Sequence, residues 1–253
     1  MRIQPNNDCA RFNLSEPPTQ NLAANLAAVR RRIAAAACAA SRDPMGIGLI
    51  GVGKGVADAA LRAAAQLGLK DFGESYLQEA LPKMAQLADL PITWHFIGPL
   101  QSNKTRPVAE HFAWVHSVDR LKLAQRLSAQ RPASLPPLQV CLQVNVSGEA
   151  SKSGAEESQL AELAQAVARL PRLQLRGLMA IPAPAAGLDA QRVPFARLKG
   201  MLENLNASGL SLDTLSMGMS VDLEAAVLEG ANWVRVGTAL FGARTKPAVE
   251  QQA

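Results

Sequence analysis

A single ionisable residue, Lys54, closes the otherwise apolar run Leu49-Ile50-Gly51-Val52-Gly53-Lys54. Taking an amine out of water disfavours its charged form, and the uncharged amine is the species that attacks an aldehyde to form a Schiff base. A lysine that has merely reached solvent at the end of a strand would read the same. Far along the chain, Leu215-Ser216-Met217-Gly218-Met219-Ser220 ends in small residues, and Ser220 is placed to cap a helix over residues 221–228 that stops at Gly230. A capped helix start bearing a hydroxyl suits an anion, and a plain cap beside a glycine turn has the same pattern. Val234-Arg235-Val236-Gly237-Thr238 follows, where Gly237 lets the backbone approach a ligand closely and Thr238 adds a second hydroxyl. Arg235 lies between two valines, so if these face outward its guanidinium points inward. The alternative there is a structural arginine satisfied by carbonyls or by a carboxylate such as Glu74.

Two stronger-looking motifs fail on context. Gly46-Ile47-Gly48-Leu49-Ile50-Gly51 matches the dinucleotide fingerprint GxGxxG, which must follow a strand and open a helix; here the glycines run into the first strand. Gly48, Gly53 and Lys54 occupy the positions of a phosphate-binding P-loop, but Gly55 stands where a hydroxyl should meet Mg²⁺, and the spacer residues are needed as strand.

The elements that must position these residues alternate. A leading helix over 20–40 is marked by Leu22, Leu26, Val29 and Ile33 at helical spacing and ends at Arg42-Asp43-Pro44. Eight β-rich runs follow, at 47–53, 71–73, 93–98, 114–118, 138–146, 174–181, 214–217 and 233–241. Amphipathic helices separate them, including 120–130 behind an Asp119 cap and 156–170 with the stripe Leu160, Leu163, Ala164, Val167, Leu170. Strict alternation implies parallel strands with crossover helices. Eight such units of about 25 residues fit a single-domain (β/α)8 TIM barrel with an additional N-terminal helix, in preference to a doubly wound open sheet. Barrel chemistry sits at strand C-termini, and loops after strands 7 and 8 are the usual phosphate grip, where Lys54, Ser220, Gly237 and Thr238 fall.

With 253 residues, 48% of them hydrophobic, the chain can bury one large core. Of the +5 formal charge, +3 lies in the first 44 residues, where Arg2, Arg11, Arg30, Arg31, Arg32 and Arg42 face Asp8, Glu16 and Asp43. The one dense basic run, Arg30-Arg31-Arg32, lacks interleaved aromatics and reads as a solvated helix face, so no nucleic acid is expected as partner. Cys9, Cys38 and Cys141 are odd in number and far apart, which fits neither a CxxC metal site nor a disulfide framework. Met1 to Asp8 has no apolar signal region and the small-residue run at 34–40 is too short to span a bilayer, so a cytoplasmic protein without a membrane partner is expected. Residues 1–19 mix Pro5, Pro17 and Pro18 with polar residues and read as a poorly ordered extension, followed by a barrel over 20–246 and a tail over 247–253.

The chain resembles the pyridoxal phosphate homeostasis proteins, single-domain barrels similar to the N-terminal domain of alanine racemase. The likeness is carried by Trp94-His95-Phe96-Ile97-Gly98-Pro99-Leu100-Gln101-Ser102-Asn103-Lys104, by Ser151-Lys152-Ser153-Gly154 and by Arg176-Gly177-Leu178-Met179-Ala180-Ile181-Pro182. Ser216-Met217-Gly218-Met219-Ser220 and Arg235-Val236-Gly237-Thr238-Ala239-Leu240-Phe241-Gly242 complete it. It implies that Lys54 holds pyridoxal 5'-phosphate as a Schiff base, that Ser220, Gly237 and Thr238 grip its phosphate, and that Arg235 faces the pyridine nitrogen. It also places Ser75, His95, Met179 and Gly218 around the cofactor. A cation at the ring nitrogen disfavours its protonation and weakens the ring as an electron sink. The resemblance therefore implies a carrier and regulator of the vitamin B6 pool with no catalytic reaction, a monomer whose recipients are pyridoxal phosphate-dependent apoenzymes. An amino-acid racemase is the alternative; it needs an acid/base on each face of the substrate, and the only tyrosine, Tyr76, belongs to the end of strand 2.

Departures from the family cluster at the lysine. Where the family usually reads Val-Ser-Lys-Thr-Lys-Pro, this chain reads Val52-Gly53-Lys54-Gly55-Val56-Ala57: a second lysine is missing and two hydroxyls have become glycines. Ser75 replaces a common Asn, and Val221 replaces the first acid after Ser220. These changes leave binding intact as an expectation and bear on release of the cofactor.

Overall fold

The computed structural model describes residues 18–148 and 153–242, and for 18–20 the backbone alone. Helix α1 (Pro18–Ala39) leads into β1 (Gly48–Val52), α2 (Asp58–Gln66), β2 (Asp71–Glu74), α3 (Leu77–Gln86), β3 (Thr93–Phe96), α4 (Thr105–His111), β4 (Trp114–Val118) and α5 (Leu121–Gln130). The second half continues with β5 (Leu138–Gln143), α6 (Glu157–Ala168), β6 (Leu173–Met179), α7 (Leu188–Ala207), β7 (Thr214–Ser216), α8 (Leu223–Leu228), β8 (Trp233–Val236) and the single turn α9 (Thr238–Phe241). The strands are parallel and close in chain order, β8 pairing with β1 in the register Ile50↔Arg235. That pairing makes a (β/α)8 barrel and removes the open-sheet alternative.

The strands form where β-branched and aromatic residues can bury on both faces, as in the five buried residues Trp114-Val115-His116-Ser117-Val118 of β4. Inside the barrel, the His95 ring stacks on Trp114 at 5.6 Å and 11° and meets the edge of Trp233 at 5.0 Å. His95 Nε2 bonds to Asp71 Oδ1 at 3.1 Å and Nδ1 to His116 Nε2 at 3.0 Å. Burial lowers the affinity of both imidazoles for a proton, so the barrel centre is an aromatic core.

Helix α1 buries Leu22, Leu26, Val29 and Ile33 against α8, α9 and α2. Its arginine run is not a solvated face throughout. Arg32 forks onto the Glu224 carboxylate at 2.6 and 2.8 Å and donates to the Ser220 carbonyl at 3.0 Å, while Arg30 donates to the Gly68 carbonyl. Just beyond the helix, Arg42 donates to the carbonyls of Val227 and Ala231, satisfying the C-terminal end of α8.

Some expected boundaries move. The eighth strand stops at Val236, because Gly237 turns the backbone (φ −111°, ψ −75°) and its carbonyl accepts from the amides of Leu240 and Phe241, making a helical turn of residues read as strand. The fifth strand ends at Gln143 rather than at residue 146. Asp119 does not cap α5; Arg120 occupies that position in extended conformation, and Asp119 accepts instead from the Arg120 side chain at 2.7 Å. Helix α8 begins at Leu223 rather than at residue 221, with Asp222 at its cap position. The leading helix starts at Pro18 and takes in residues 18 and 19 of the expected extension (1–19); residues 1–17 and the tail (247–253) lie outside the described residues. Among the described residues, no helix is long and apolar enough to cross a membrane, and no group of three or more His, Cys, Asp or Glu is placed to hold a metal ion.

Candidate functional site

At the C-terminal face of the barrel, a cleft of about 250 Å³ opens over the seam where β1 meets β8. Lys54 enters it from the loop after β1, Ser220 from the loop after β7, and Arg235, Gly237 and Thr238 from the end of β8. Lys54 and Arg235, 181 positions apart, meet here because parallel strands deliver all their C-termini to one face. The cleft is otherwise lined by apolar Val52, Val56, Met219, Val221 and Phe241.

Each polar group has a defined setting. Lys54 is half-buried, donates from Nζ to Tyr76 Oη at 3.1 Å, and sits 4.6 Å from the centre of the Tyr76 ring. The loop it occupies turns through Gly55 (φ +69°), closed by the Val56 amide on the Gly53 carbonyl. Arg235 does point into the barrel, 3% exposed, and donates to Ser216 Oγ at 2.7 Å and to the Ala180 carbonyl at 2.9 Å. Its partners are a hydroxyl and a carbonyl; Glu74 instead pairs with Lys83. Burial pushes the guanidinium down to about 10, and the Asp222 charge opposes the shift, so Arg235 remains a cation at neutral pH. Ser220 does not cap α8; Oγ accepts weakly from the Ala239 amide at 3.3 Å, which leaves its O–H free to donate to a ligand. Asp222 occupies the cap position of α8 without a side-chain cap bond, and its carboxylate accepts instead from the Met219 amide in the preceding loop.

The other site residues expected from the sequence lie elsewhere. Ser75 lines a neighbouring hollow with Tyr76, Gln78, Gln101 and Lys104. His95 is held in the barrel core by Asp71 and His116, and Met179 packs there against Trp114 and Cys141. Gly218 adopts φ +90°, and its carbonyl accepts from the Arg235 amide, so it shapes the β7–β8 edge without lining the cleft. Tyr76 is the contact that sequence reading did not assign to the site, though its place just after β2 put it within reach of the residue after β1.

As chemistry, the cleft gathers, among the described residues, one primary amine, two hydroxyls, a backbone turn at Gly237 and a fixed cation, and none of its described lining residues is a carboxylate. That donor set fits an anionic aldehyde: the amine for the carbonyl carbon, the hydroxyls and cation for negative charge and lone pairs.

Comparison with known proteins finds relatives over most of the chain. The family model for the alanine racemase N-terminal domain matches residues 19–245. A pyridoxal phosphate homeostasis protein of Pseudomonas aeruginosa is 67% identical over 88% of this chain and 96% of its own length, and one from Escherichia coli is 50% identical over 88% and 97%. Among solved structures, PipY of Synechococcus elongatus with PLP bound is 39% identical and superposes with a TM-score of 0.77, covering 87% of this chain and all of that one. Matches of such length to proteins sharing one name leave a single assignment: the chain belongs to the pyridoxal phosphate homeostasis protein family.

Proposed function

We propose that the protein binds pyridoxal 5'-phosphate in the β1–β8 cleft, with Lys54 as the attachment point, and holds it for the intracellular vitamin B6 pool without turning over a substrate. The observation that carries this reading is the convergence of Lys54, Ser220, Arg235 and Thr238 on one cleft. Ser220, Gly237 and Thr238 would hold the phosphate, and Arg235, fixed from below by Ser216 and Ala180, would face the ring nitrogen. When bound, the cofactor supplies a carbonyl carbon for an amine and an aromatic ring that can draw electrons from that carbon. Arg235 is held as a cation, offers no acceptor for a ring proton and so keeps the ring a weak electron sink. Ser75, His95, Met179 and Gly218 support the cleft from outside its lining.

Tyr76 bears on the racemase alternative. A two-base reaction needs its second base across the substrate from Lys54, whereas the chain's single tyrosine touches Lys54 Nζ directly. We place the protein in the cytoplasm as a monomer, with pyridoxal phosphate-dependent apoenzymes as recipients. The name shared by the relatives supports a role in homeostasis.

An absorbance titration with pyridoxal phosphate, run beside Lys54→Ala, tests the reading. A visible band in the parent alone, fixed by borohydride to the peptide containing Lys54, is the expected result; equal bands in both proteins, or trapping on another lysine, overturn it. Exchange of an amino-acid α-proton with heavy water, catalysed by the loaded protein, would refute the non-catalytic part. Mixing the loaded protein with an apoenzyme and following restored activity examines the recipients.

A further inference from the structure

The cofactor-site lysine stands between two glycines, Gly53 and Gly55. Glycine has the widest backbone freedom, so a Gly-Lys-Gly loop with no other restraint would scatter the amine over many positions. In this fold both peptide units flanking Lys54 are held by side chains of α3. Lys83, buried at 5% exposure, donates to the Gly53 carbonyl at 2.6 Å. Glu79 accepts from the Gly55 amide at 2.5 Å. The two are joined to one another, Lys83 Nζ to Glu79 Oε1 at 2.6 Å, on adjacent turns of one helix, and Lys83 is anchored below by Glu74 Oε1 at 2.9 Å.

The glycines and the clamp depend on each other. A Cβ on Gly53 would lie 2.4 Å from Glu74 Oε1, so any side chain there would push away the carboxylate that seats Lys83. Gly55 at φ +69° takes a conformation that residues with a side chain rarely adopt, and that conformation aims its N–H at Glu79. Only a helix in register with both peptide units can serve them together, and α3 follows the strand that pairs with β1.

We infer that Lys83 and Glu79 are positioning residues, which fix the peptide units on either side of Lys54 and thereby pre-set its amine at the cleft. They act through Lys54 and line no part of the cleft themselves. The inference rests on the assignment of Lys54 as the attachment point, but its first consequence is a property of the ligand-free protein. Holding the amine in place removes an ordering cost that would otherwise fall on binding.

The test compares the parent with Lys83→Met, Glu79→Ala and Glu79→Gln, the last keeping an acceptor for the Gly55 amide. Hydrogen exchange of peptides spanning residues 52–57 is measured without pyridoxal phosphate, and formation of the visible band is timed after mixing with it. Both Lys83→Met and Glu79→Ala are expected to exchange at least about tenfold faster in this segment and to form the band about tenfold more slowly, with unchanged circular dichroism; Glu79→Gln is expected to recover most of both. If Lys83→Met fails to fold, the Glu79 pair decides alone, since that side chain is part-exposed. Parent-like exchange and rates in the variants, or loss in Glu79→Gln equal to that in Glu79→Ala, would overturn the inference. A parent that forms no band would instead refute the assignment of Lys54, while the exchange comparison would still decide the clamp.

Discussion

Lys54 Nζ donates to Tyr76 Oη at 3.1 Å while lying 4.6 Å from the centre of the same ring, so the amine at the heart of the cleft is already engaged before any ligand arrives. Conversion of the amine to a Schiff base takes hydrogens from that nitrogen, so the bond to the phenol is lost or loosened on the way. Tyr76→Phe keeps the ring and removes only the acceptor. A hydrogen bond at a part-exposed position contributes about 1 kcal/mol, so band formation should be about fivefold faster in the variant, with borohydride still trapping Lys54. Stopped-flow absorbance gives the rate, and a slower reaction would assign the phenol an assisting role.

Ser220→Ala and Thr238→Val each remove one hydroxyl from the same wall of the cleft. Hydrogen bonds to a charged acceptor are worth roughly 1.5–3 kcal/mol, so each change should weaken pyridoxal phosphate by about 10- to 100-fold. Pyridoxal, which lacks the phosphate, should bind the variants and the parent alike. Spectral titration with the two vitamers checks this; an equal loss for both would move the phosphate elsewhere in the cleft.

Gly98, in the Phe96-Ile97-Gly98-Pro99 segment, touches the loop that carries Tyr76: a Cβ on it would fall 2.2 Å from the Ser75 carbonyl oxygen. Backbone cannot yield as a side chain tip can. Gly98→Ala should cost roughly 2–4 kcal/mol in urea unfolding and also alter the rate of band formation through the displaced Tyr76. An alanine variant of parental stability would mean that the β2–α3 loop shifts freely.

Glu74 should give the protein a distinctive dependence on pH. Its burial pushes the carboxyl up to about 7 despite the bond from Lys83, and the charges of Glu79 and Asp58 add to the push. The folded pKa lies above the ordinary 4.5, so the protonated form favours the folded state. That contribution is complete below about 4.5 and is lost as the pH rises through about 7. Roughly 3 kcal/mol of stability should disappear over this window, and Glu74→Gln should flatten the slope. Urea unfolding of both proteins from pH 4.5 to 8 reads the difference directly; parallel curves would exclude Glu74 as its source.

Much of this was legible in the sequence because the barrel imposes simple rules. Period-two and apolar runs located each of the eight strands, and the rule that strand ends carry the chemistry brought Lys54, Ser220 and Thr238 together across most of the chain. Val236 to Phe241 misled for a physical reason: an apolar, β-prone run looks like strand continuing, and only the turn at Gly237 bends it into a helix. Ser220 sits near two helix starts, and spacing alone favoured the longer one. His95 and Met179 point inward, as alternation allows, but alternation does not say how deep in the barrel a side chain lies. Lys83 and Glu79 stand four apart, as in any surface ion pair; their grip on Gly53 and Gly55 depends on the stagger between β1 and β2, which no local pattern encodes.

The pairing of β1 with β8 has one more consequence. Lys54 follows the first strand and Arg235 lies on the last, and the two strands are neighbours only after the barrel has closed. In chain order Lys54 precedes most of the barrel, and the wall opposite it arrives only with Arg235 and Thr238. The complete cleft is therefore a property of the closed barrel, and stretches of chain that stop short of Trp233 lack it.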